Sequence, residues 1–275
     1  MKTRLFRIFV LFLFLVPLMG CSQAIRNFPS KAPDSGVITN IKTVKESLEE
    51  LGSINEEWLT QDKGWIHYVR QPSQTGDIRF TFQERWTEFP YGNTTCGRYL
   101  LIIKATADSV DGQRHIRLAD GTKAELVSLG EDFVSGSFSE SDSIDKTECE
   151  AAEISGSLLD LQKMELLAKF IKKVKMWDET YNGQEVRVLE VLYIGNDIDE
   201  LATPYGAGGK VERLYYDIET GNRIRIEETF LYDDQWGGGV TYAEEIYEYF
   251  HELPAEALNQ IDLAEMELEY YLIID

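Results

Sequence analysis

The chain has 275 residues, of which 43% are hydrophobic and 12% aromatic, enough apolar material for one large domain or two small ones. Its 48 acidic residues outnumber 27 basic residues and give a formal net charge of −21. Such a surface repels nucleic acid and anionic lipid headgroups, so the composition excludes a nucleic-acid partner. The acidic residues are spread along the chain, which favours a solvated globular surface over an acidic tail.

The first twenty residues have the layout of a secretory signal peptide: a basic head, an apolar run over residues 8–16, and Gly20 directly before Cys21. The apolar run is shorter than the roughly 18 residues that a membrane-spanning helix needs. Residues 18–21 resemble the lipobox of bacterial lipoproteins. The resemblance implies cleavage after Gly20 and attachment of a diacylglyceryl group, with palmitate-like chains, to Cys21. An uncleaved anchor and an ordinary signal peptide with an incidental cysteine are the alternatives.

The domain organisation follows from the composition after the signal peptide. Residues 21–38 are rich in Ser, Pro, Asn and Gly and show no hydrophobic period, so we expect a lipidated N-terminus and a flexible tether there. The folded domain is predicted to span residues 39–275. A short echo between two turn sequences also allows two related halves, 39–150 and 151–275.

Helical spacing predicts a first helix over Lys42–Leu51, which Gly52 is expected to end. The period then changes to two, which is typical of strands with one dry and one wet face. Strands are predicted in this half at residues 65–69, 78–86, 99–105 and 115–118, and further short strands between residues 124 and 138.

The clearest helical pattern spans Leu158–Val174 and has one apolar stripe. Lys169, Lys172 and Lys173 fall in its last turns, where they suit the negative end of the helix dipole. Asn182-Gly183 is typical of a type I′ hairpin turn. Further strands are predicted at residues 186–194, 214–218, 223–232 and 240–251. Successive strands joined by short turns predict an antiparallel sheet, one face of which the helix covers.

Residues 214–228 contain a strand that ends in Asp217, a Glu-Thr-Gly turn and an outgoing strand with an arginine. This segment is similar to the core hairpin of LolA/RseB-like proteins, and residues 253–257 resemble the ending of that family. The family contains periplasmic lipoprotein carriers and sigma-factor regulators. The resemblance implies an α+β fold in which a curved antiparallel β-sheet, a half-barrel, has helices packed on one face around an apolar cavity for acyl chains. A lipobox would fix this chain to one membrane, which favours a stationary binding protein over a shuttle.

Two cysteines remain once Cys21 is lipidated, and both lie in polar, turn-like sequence. An even number of cysteines in an exported protein predicts a Cys96–Cys149 disulfide, with two unpaired thiols as the alternative. Intact mass with and without reductant distinguishes the two.

The sequence contains no nucleophile elbow, phosphate-binding glycine loop or zinc-protease motif, and it predicts no catalytic residue, metal or cofactor. Aromatic residues on or beside strands are the candidates for lining a ligand cavity, and ordinary core packing is the alternative interpretation. These candidates are Phe80, Phe82, Trp86, Phe230, Trp236, Tyr242 and Phe250.

The sequence therefore predicts a non-enzymatic lipoprotein, anchored through Cys21 to the outer face of the bacterial cell membrane or in the periplasm. It would bind an apolar ligand (a lipid, an acyl chain or a lipoprotein) or a protein partner. An extracytoplasmic hydrolase that uses acidic residues is the alternative from another class, and it would need carboxylates converging in a polar cleft. A purely structural or adhesive surface lipoprotein is the third possibility.

Overall fold

The chain is described by a computed structural model. It covers residues 30–61, 64–72, 81–89, 97–117, 123–129, 132–139, 156–195, 207–232, 239–255 and 257–259. The predicted signal peptide and Cys21 lie outside these residues. The two α-helices found within them are α1 (Ile41–Gln61) and α2 (Gly156–Leu166). Neither is long and apolar enough to cross a membrane.

The strands of the described residues form one antiparallel sheet in the order β6-β5-β4-β3-β2-β1-β11-β10-β9-β8-β7, which confirms the predicted antiparallel architecture. The strands are β1 (Gly64–Pro72), β2 (Phe82–Phe89), β3 (Tyr99–Lys104), β4 (Gly112–Arg117), β5 (Lys123–Leu129), β6 (Asp132–Ser139), β7 (Ile171–Tyr181), β8 (Gln184–Ile194), β9 (Ala207–Asp217), β10 (Arg223–Tyr232) and β11 (Gly239–Phe250).

The chain enters the sheet at its middle and leaves it there. Strands β1 to β6 run outward from the centre to one edge, and β7 to β11 run inward from the other edge. The halves meet where β1 pairs with β11, with Trp65 opposite Phe250 and Arg70 opposite Glu245. The sheet is open, with β6 and β7 at its edges, and it has the predicted α+β half-barrel architecture.

The sheet buries both of its faces in the second half. Both helices pack on one face, which we call the inner face, and we call the opposite one the outer face. Side chains alternate between the faces along a strand, so Leu189, Val191 and Tyr193 of β8 lie on the inner face. Val186 and Val188 lie on the outer face, and all five of these side chains are fully buried. The second half of the sheet therefore has two apolar layers.

Helix α1 is longer than predicted. It continues through Gly52 to Gln61, so the expectation that Gly52 ends the helix is wrong. A Cβ atom at Gly52 would lie 2.6 Å from the Cγ of Leu158 in α2. The glycine therefore allows a close contact between the two helices, and the sequence signal for a helix end reflects helix packing instead.

The length of α1 lets it cover two parts of the inner face. Twenty-one residues make a rod of about 30 Å. Its first turns place Val44 and Leu48 in the core over β7–β10, and its last turns place Trp58 and Leu59 against Ile66 and Phe89 of the central strands. The helix thus joins the two halves of the sheet.

The second predicted helix, residues 158–174, is helical only in its first part, and the prediction for residues 171–174 is wrong. Helix α2 ends at Leu166, a 3-10 turn follows over Ala168–Phe170, and β7 begins at Ile171. The residues from 171 onward also fit a period of two, with Val174 and Met176 on the inner face and Trp177 on the outer one. Pairing with the doubly buried β8 decides between the two periods, which the sequence alone leaves ambiguous.

The predicted hairpin turn between β7 and β8 is confirmed by positive φ angles at Asn182 (50°) and Gly183 (85°). The described part of the predicted tether, residues 30–38, lies on the outer face. Ile38 pairs with Met176 at the sheet edge, and Ala32 and Val37 pack against the outer apolar cluster. From Ser30 onward the tether is therefore part of the folded domain.

Candidate functional site

Helix α2 meets the inner face of the sheet through polar side chains. Asp160 and Lys163 stand three residues apart, which places them on the same side of a helix. Leu161 and Met164 are the large apolar side chains that α2 itself buries. Of the four buried residues of this helix, two are polar, namely Ser157 and Asp160. The contact between α2 and the sheet is thus a mixed polar and apolar one.

Asp160 is the first centre of this contact. Its two carboxylate oxygens accept hydrogen bonds from Arg223 Nη1, at 2.9 and 3.0 Å. Tyr216 Oη donates to the same carboxylate at 2.7 Å. The other arm of the Arg223 guanidinium donates to Tyr247 Oη at 3.1 Å, and Tyr247 in turn donates to Glu245 at 2.8 Å. Strands β9, β10 and β11 therefore all contribute to holding one residue of α2.

Glu212 is the second centre, and it contacts two lysines. Lys163 Nζ of α2 donates to Glu212 Oε1. The Nζ atom of Lys210, which lies on β9 like Glu212, is 2.9 Å from the same oxygen. Lys210 also lies 3.3 Å from Glu228 on β10. The side chains of Lys210 and Glu212 are each only 1% exposed, so these charges have exchanged water for one another.

Arg70 of β1 connects the two centres. Its guanidinium lies 3.2 Å from Glu228 and 3.7 Å from Glu245. We call the connected set the inner polar network. Its four cationic and four acidic side chains balance in charge. The members are Arg70, Asp160, Lys163, Lys210, Glu212, Tyr216, Arg223, Glu228, Glu245 and Tyr247.

The network separates the pKa values of its two neighbouring glutamates. Burial alone would raise the pKa of Glu212, but the charges of Lys163 and Lys210 outweigh it and hold that pKa far below its usual range. Burial raises the pKa of Glu228, and Lys210 only partly offsets this. Divergent pKa values also mark acid and base pairs in enzymes. Here both carboxylates are tied to Lys210, so the divergence has a structural cause.

Two buried polar atoms beside Lys210 lie close to one another, and a contact between the Tyr193 hydroxyl and the Glu212 carboxylate contributes to the raised pKa of Tyr193. The two atoms are Tyr193 Oη and Glu212 Oε2. The Lys210 ammonium lies 5.7 Å from the centre of the Tyr193 ring. Burial raises the pKa of the Tyr193 hydroxyl, which therefore keeps its proton and can donate it. The protonated Tyr193 hydroxyl thus faces the Glu212 carboxylate at this point of the network.

The hairpin between β9 and β10 explains how Arg223 is positioned. Asp217 Oδ1 accepts hydrogen bonds from the backbone N–H groups of Glu219 and Thr220, at 2.8 and 2.9 Å, which fixes the turn. Gly221 has a φ of 68°, and a Cβ atom there would lie 2.2 Å from the carbonyl oxygen of Leu51 in α1. The Asp-x-x-x-Gly pattern therefore docks the turn against α1 and sends β10 out with Arg223 beneath α2.

A second charged cluster lies on the outer face. Arg213 Nε is 2.7 Å from Glu190, and Arg225 Nη2 is 2.8 Å from Glu227. Lys31 brings the N-terminal segment that begins at Ser30 to this cluster, because its ammonium lies 2.7 Å from Glu227. Burial would raise the pKa of Glu227, but the hydrogen bond from Lys31 and the nearby arginines lower it overall. The cluster thus docks the N-terminal segment on the sheet.

The described aromatic cavity candidates lie on both faces of the sheet. Phe82, Trp86 and Phe250 lie on the outer face of the first half, where the Trp86 and Phe250 ring centres are 5.7 Å apart. Phe230 is fully buried on the inner face of β10. Tyr242 lies on β11 opposite Thr229. The structure therefore distributes the described candidates over both faces.

Several predicted residues fall outside the described part of the chain. These are the cavity candidates Phe80 and Trp236, and the cysteines Cys96 and Cys149 with their predicted disulfide. No group of three or more His, Cys, Asp or Glu side chains within the described ranges is arranged to hold a metal ion.

Sequence reasoning missed the inner polar network. Its signal was the presence of charged residues at successive positions of one strand, such as Lys210, Glu212 and Arg213. In a strand with one solvated face, only every second position is buried, so some of these charges would be solvated. Both faces of β9 are covered, which buries all three. The sequence does not reveal that second cover.

Comparison by sequence identifies no relatives: no family model matches the chain, and no curated protein matches it.

The solved structures that this chain resembles include two mycobacterial proteins and one from Pseudomonas aeruginosa, all at low TM-scores. The lipoprotein LppX of Mycobacterium tuberculosis is 9% identical, with a TM-score of 0.41 over 74% of this chain and 95% of that one. LprF of Mycobacterium bovis is 12% identical, with a TM-score of 0.36 over 73% of this chain and 93% of that one. MucB from the MucA/MucB complex of Pseudomonas aeruginosa is 12% identical, with a TM-score of 0.37 over 76% of this chain and 59% of that one. Because every TM-score is below 0.5, the fold is defined here by the strand order and register of the chain itself.

Proposed function

We propose that the protein is a membrane-anchored extracytoplasmic lipoprotein that performs no catalysis and binds an apolar ligand, such as a lipid or acyl chain, beneath α2. The observation that carries this proposal is the way α2 is attached. It covers an apolar inner face with Leu161 and Met164, and ion pairs and hydrogen bonds to the sheet hold it beside these apolar contacts. A protein segment with an apolar face is the other occupant that the same surface would accept.

The polar attachment makes α2 the more easily displaced of the two helices. Helix α1 buries Val44, Leu48 and Leu51 with exposures of 1% or less, and displacing it would expose a large apolar area. Helix α2 has 11 residues and buries only two large apolar side chains of its own. Short elements with few apolar contacts open at a lower free energy than the core does.

The surface that α2 covers suits an amphipathic molecule. Met176, Leu189 and Leu214 provide an apolar floor on β7, β8 and β9, which α2 covers together with α1. The inner polar network borders this floor, and Tyr193 Oη and Glu212 Oε2 lie buried at that border, where they meet each other. An acyl chain on the floor with a polar head beside the inner polar network would contact both.

Hydrogen exchange of the full chain tests the ligand site. Oleate added to the protein should slow amide exchange in α2 and leave the exchange of β8, which is already buried on both faces, unchanged. The oleate concentration is high but stays below the concentration at which oleate forms micelles. Equal amide exchange of α2 with and without oleate under these conditions would argue against a site beneath this helix.

Fractionation tests the anchor separately. Cys21→Ala removes the sulfur that would carry the lipid, so the variant should move from the membrane fraction to the soluble fraction, because a single weak contact does not hold a protein on a bilayer. Ser22→Ala, one residue later, is the matched control and should stay with the membrane. Unchanged membrane association of Cys21→Ala would sink the lipoprotein assignment.

A further inference from the structure

The start of β7 carries the strongest concentration of positive charge in an otherwise acidic chain. Residues 166–175 include four lysines and no acidic residue, whereas the whole chain has 48 acidic and 27 basic residues. Lys169, Lys172 and Lys173 are exposed, and neither Lys172 nor Lys173 forms an ion pair with another described residue. Leu166, beside them at the end of α2, is 78% exposed. We call Leu166, Lys169, Lys172 and Lys173 together the cationic edge.

The cationic edge lies next to the point where the N-terminal segment joins the domain. Lys175 Nζ donates to Ser30 Oγ at 2.6 Å on the outer face of β7. Lys173 is two residues earlier on the same strand, about 7 Å away along it. Ser30 is further held through Glu190, and Lys31 through Glu227. The N-terminal segment is therefore fixed at the same edge of the sheet.

The length of chain before Ser30 limits how far the domain can stand from the lipid. Ser30 is nine residues after Cys21 in the chain, and a fully extended chain of nine steps reaches about 30 Å. A lipid on Cys21 thus keeps the β7 edge within about 30 Å of the bilayer surface. The remaining acidic surface is repelled by anionic headgroups, whereas the cationic edge is attracted.

We propose that the cationic edge is a docking surface for anionic phospholipid headgroups, which orients the anchored domain with its β7 edge toward the bilayer. Lys169, Lys172 and Lys173 would contact the headgroups, and Leu166 would enter the interface beside them. The inference rests on the proposed lipid anchor, and it adds a fixed orientation to it. Each lysine near an anionic surface strengthens the contact about fivefold.

Lysine footprinting on vesicles tests the orientation. The lipidated full chain is placed in phosphatidylcholine vesicles and in vesicles that also contain phosphatidylglycerol, and a water-soluble amine reagent labels exposed lysines. Labelling of Lys169, Lys172 and Lys173 should fall about fivefold on the anionic vesicles. Salt at about 1 M shortens the screening length to about 3 Å and should restore it. Lys104 on β3, seven strands from β7, should label equally throughout.

Paired charge reversals sharpen the test. Lys173→Glu should restore labelling of Lys169 and Lys172 on anionic vesicles, whereas Lys104→Glu, with the same charge change, should leave their protection intact. Equal labelling of the cationic edge on both kinds of vesicle would overturn the proposal, whether that labelling is high or low. Retention on phosphatidylcholine vesicles reports the anchor alone, so a failed anchor and a failed orientation give different results.

Discussion

Glu212 illustrates at the residue scale what the buried network costs and contributes. It is 1% exposed and carries its charge only because Lys163 and Lys210 lie beside it. Removing one member of a buried ion pair leaves the partner charged in a poorly solvated place. The network should therefore respond strongly to single neutral substitutions, although a fully apolar replacement would be tolerated better.

Glu212→Gln should lower the free energy of unfolding by about 3 kcal/mol, since two lysines lose their common carboxylate. Glu165→Gln is the matched control. Its carboxylate pairs with Lys45 at 2.7 Å but is 57% exposed, and such surface pairs contribute about 0.5 kcal/mol or less. Urea denaturation of both variants measures the difference. Equal, small effects would show that Glu212 is not a structural centre.

His67 provides a pH-dependent term on the outer face. Its ring nitrogens lie 2.9 Å from Glu248 and 3.0 Å from Glu84, and the ring stacks on Trp86. Burial lowers the pKa of His67, but the two carboxylates outweigh it, so the pKa lies above its usual value of 6.5. The hydrogen bond to His67 lowers the pKa of Glu84, whose usual value is 4.5.

The direction of these shifts sets the pH window. The folded protein holds the His67 proton more tightly than the unfolded chain does, so this stabilisation is complete below pH 6.5 and disappears as pH rises through the raised pKa. The lowered pKa of Glu84 acts oppositely: its contribution is present above pH 4.5 and is lost as pH falls through that lowered pKa. The interaction between His67 and Glu84 therefore stabilises the fold most between pH 4.5 and pH 6.5.

His67→Gln should cost about 1.5 kcal/mol more stability near pH 5.5 than near pH 9, because hydrogen bonds to charged groups are lost only where the histidine is charged. Thermal unfolding at both pH values measures this. His115→Gln, with a ring nitrogen 4.0 Å from Glu125, removes a histidine without a close carboxylate pair and should show a smaller difference. A pH-independent loss for His67→Gln would contradict the assignment.

The contact between α1 and α2 depends on one glycine at the element scale. A side chain at Gly52 would collide with Leu158, and the helices would have to separate. Gly52→Leu should therefore destabilise the protein by about 1–3 kcal/mol despite its better helix propensity. Ser53→Leu, at the next and exposed position of α1, should be nearly neutral. Thermal unfolding distinguishes them, and a stabilised Gly52→Leu variant would refute this close contact.

The same elements show what the sequence predicts and where it stops. The strands predicted at residues 65–69, 99–105 and 223–232 lie close to the observed bounds of β1, β3 and β10, because local apolar patterns and turn signals decide them. Residues 171–174 fit both a helix and a strand, and only pairing with β8, a neighbour formed later in the chain, resolves the choice. Gly52 carries a stop signal that packing overrides. Long-range contacts settle each of these cases.

At the scale of the whole molecule, the two faces of the sheet carry different parts of the structure. The inner face holds both helices and the polar network beneath α2, and the outer face holds the N-terminal segment through Lys31 and Glu227. The pairing of β1 with β11 joins these regions into one sheet. The proposed docking edge and the proposed ligand surface therefore belong to one continuous sheet.

The charged residues are also unevenly distributed over the molecule. The chain is acidic overall, yet its lysines concentrate at the β7 edge, next to the attachment of the N-terminal segment. The resemblance of residues 214–228 to the LolA/RseB-like hairpin predicted the half-barrel, and the turn at Gly221 shows why that pattern is needed: it docks against α1. The pattern does not predict the cationic edge, which lies outside it.

The most direct test of the ligand-binding account is native mass spectrometry of the protein released gently from membranes, compared with its denatured mass. We predict a denatured mass equal to residues 21–275 plus acyl groups on Cys21. We also predict a native mass that is larger by one noncovalently bound lipid. Identical native and denatured masses would contradict the binding of an apolar ligand beneath α2.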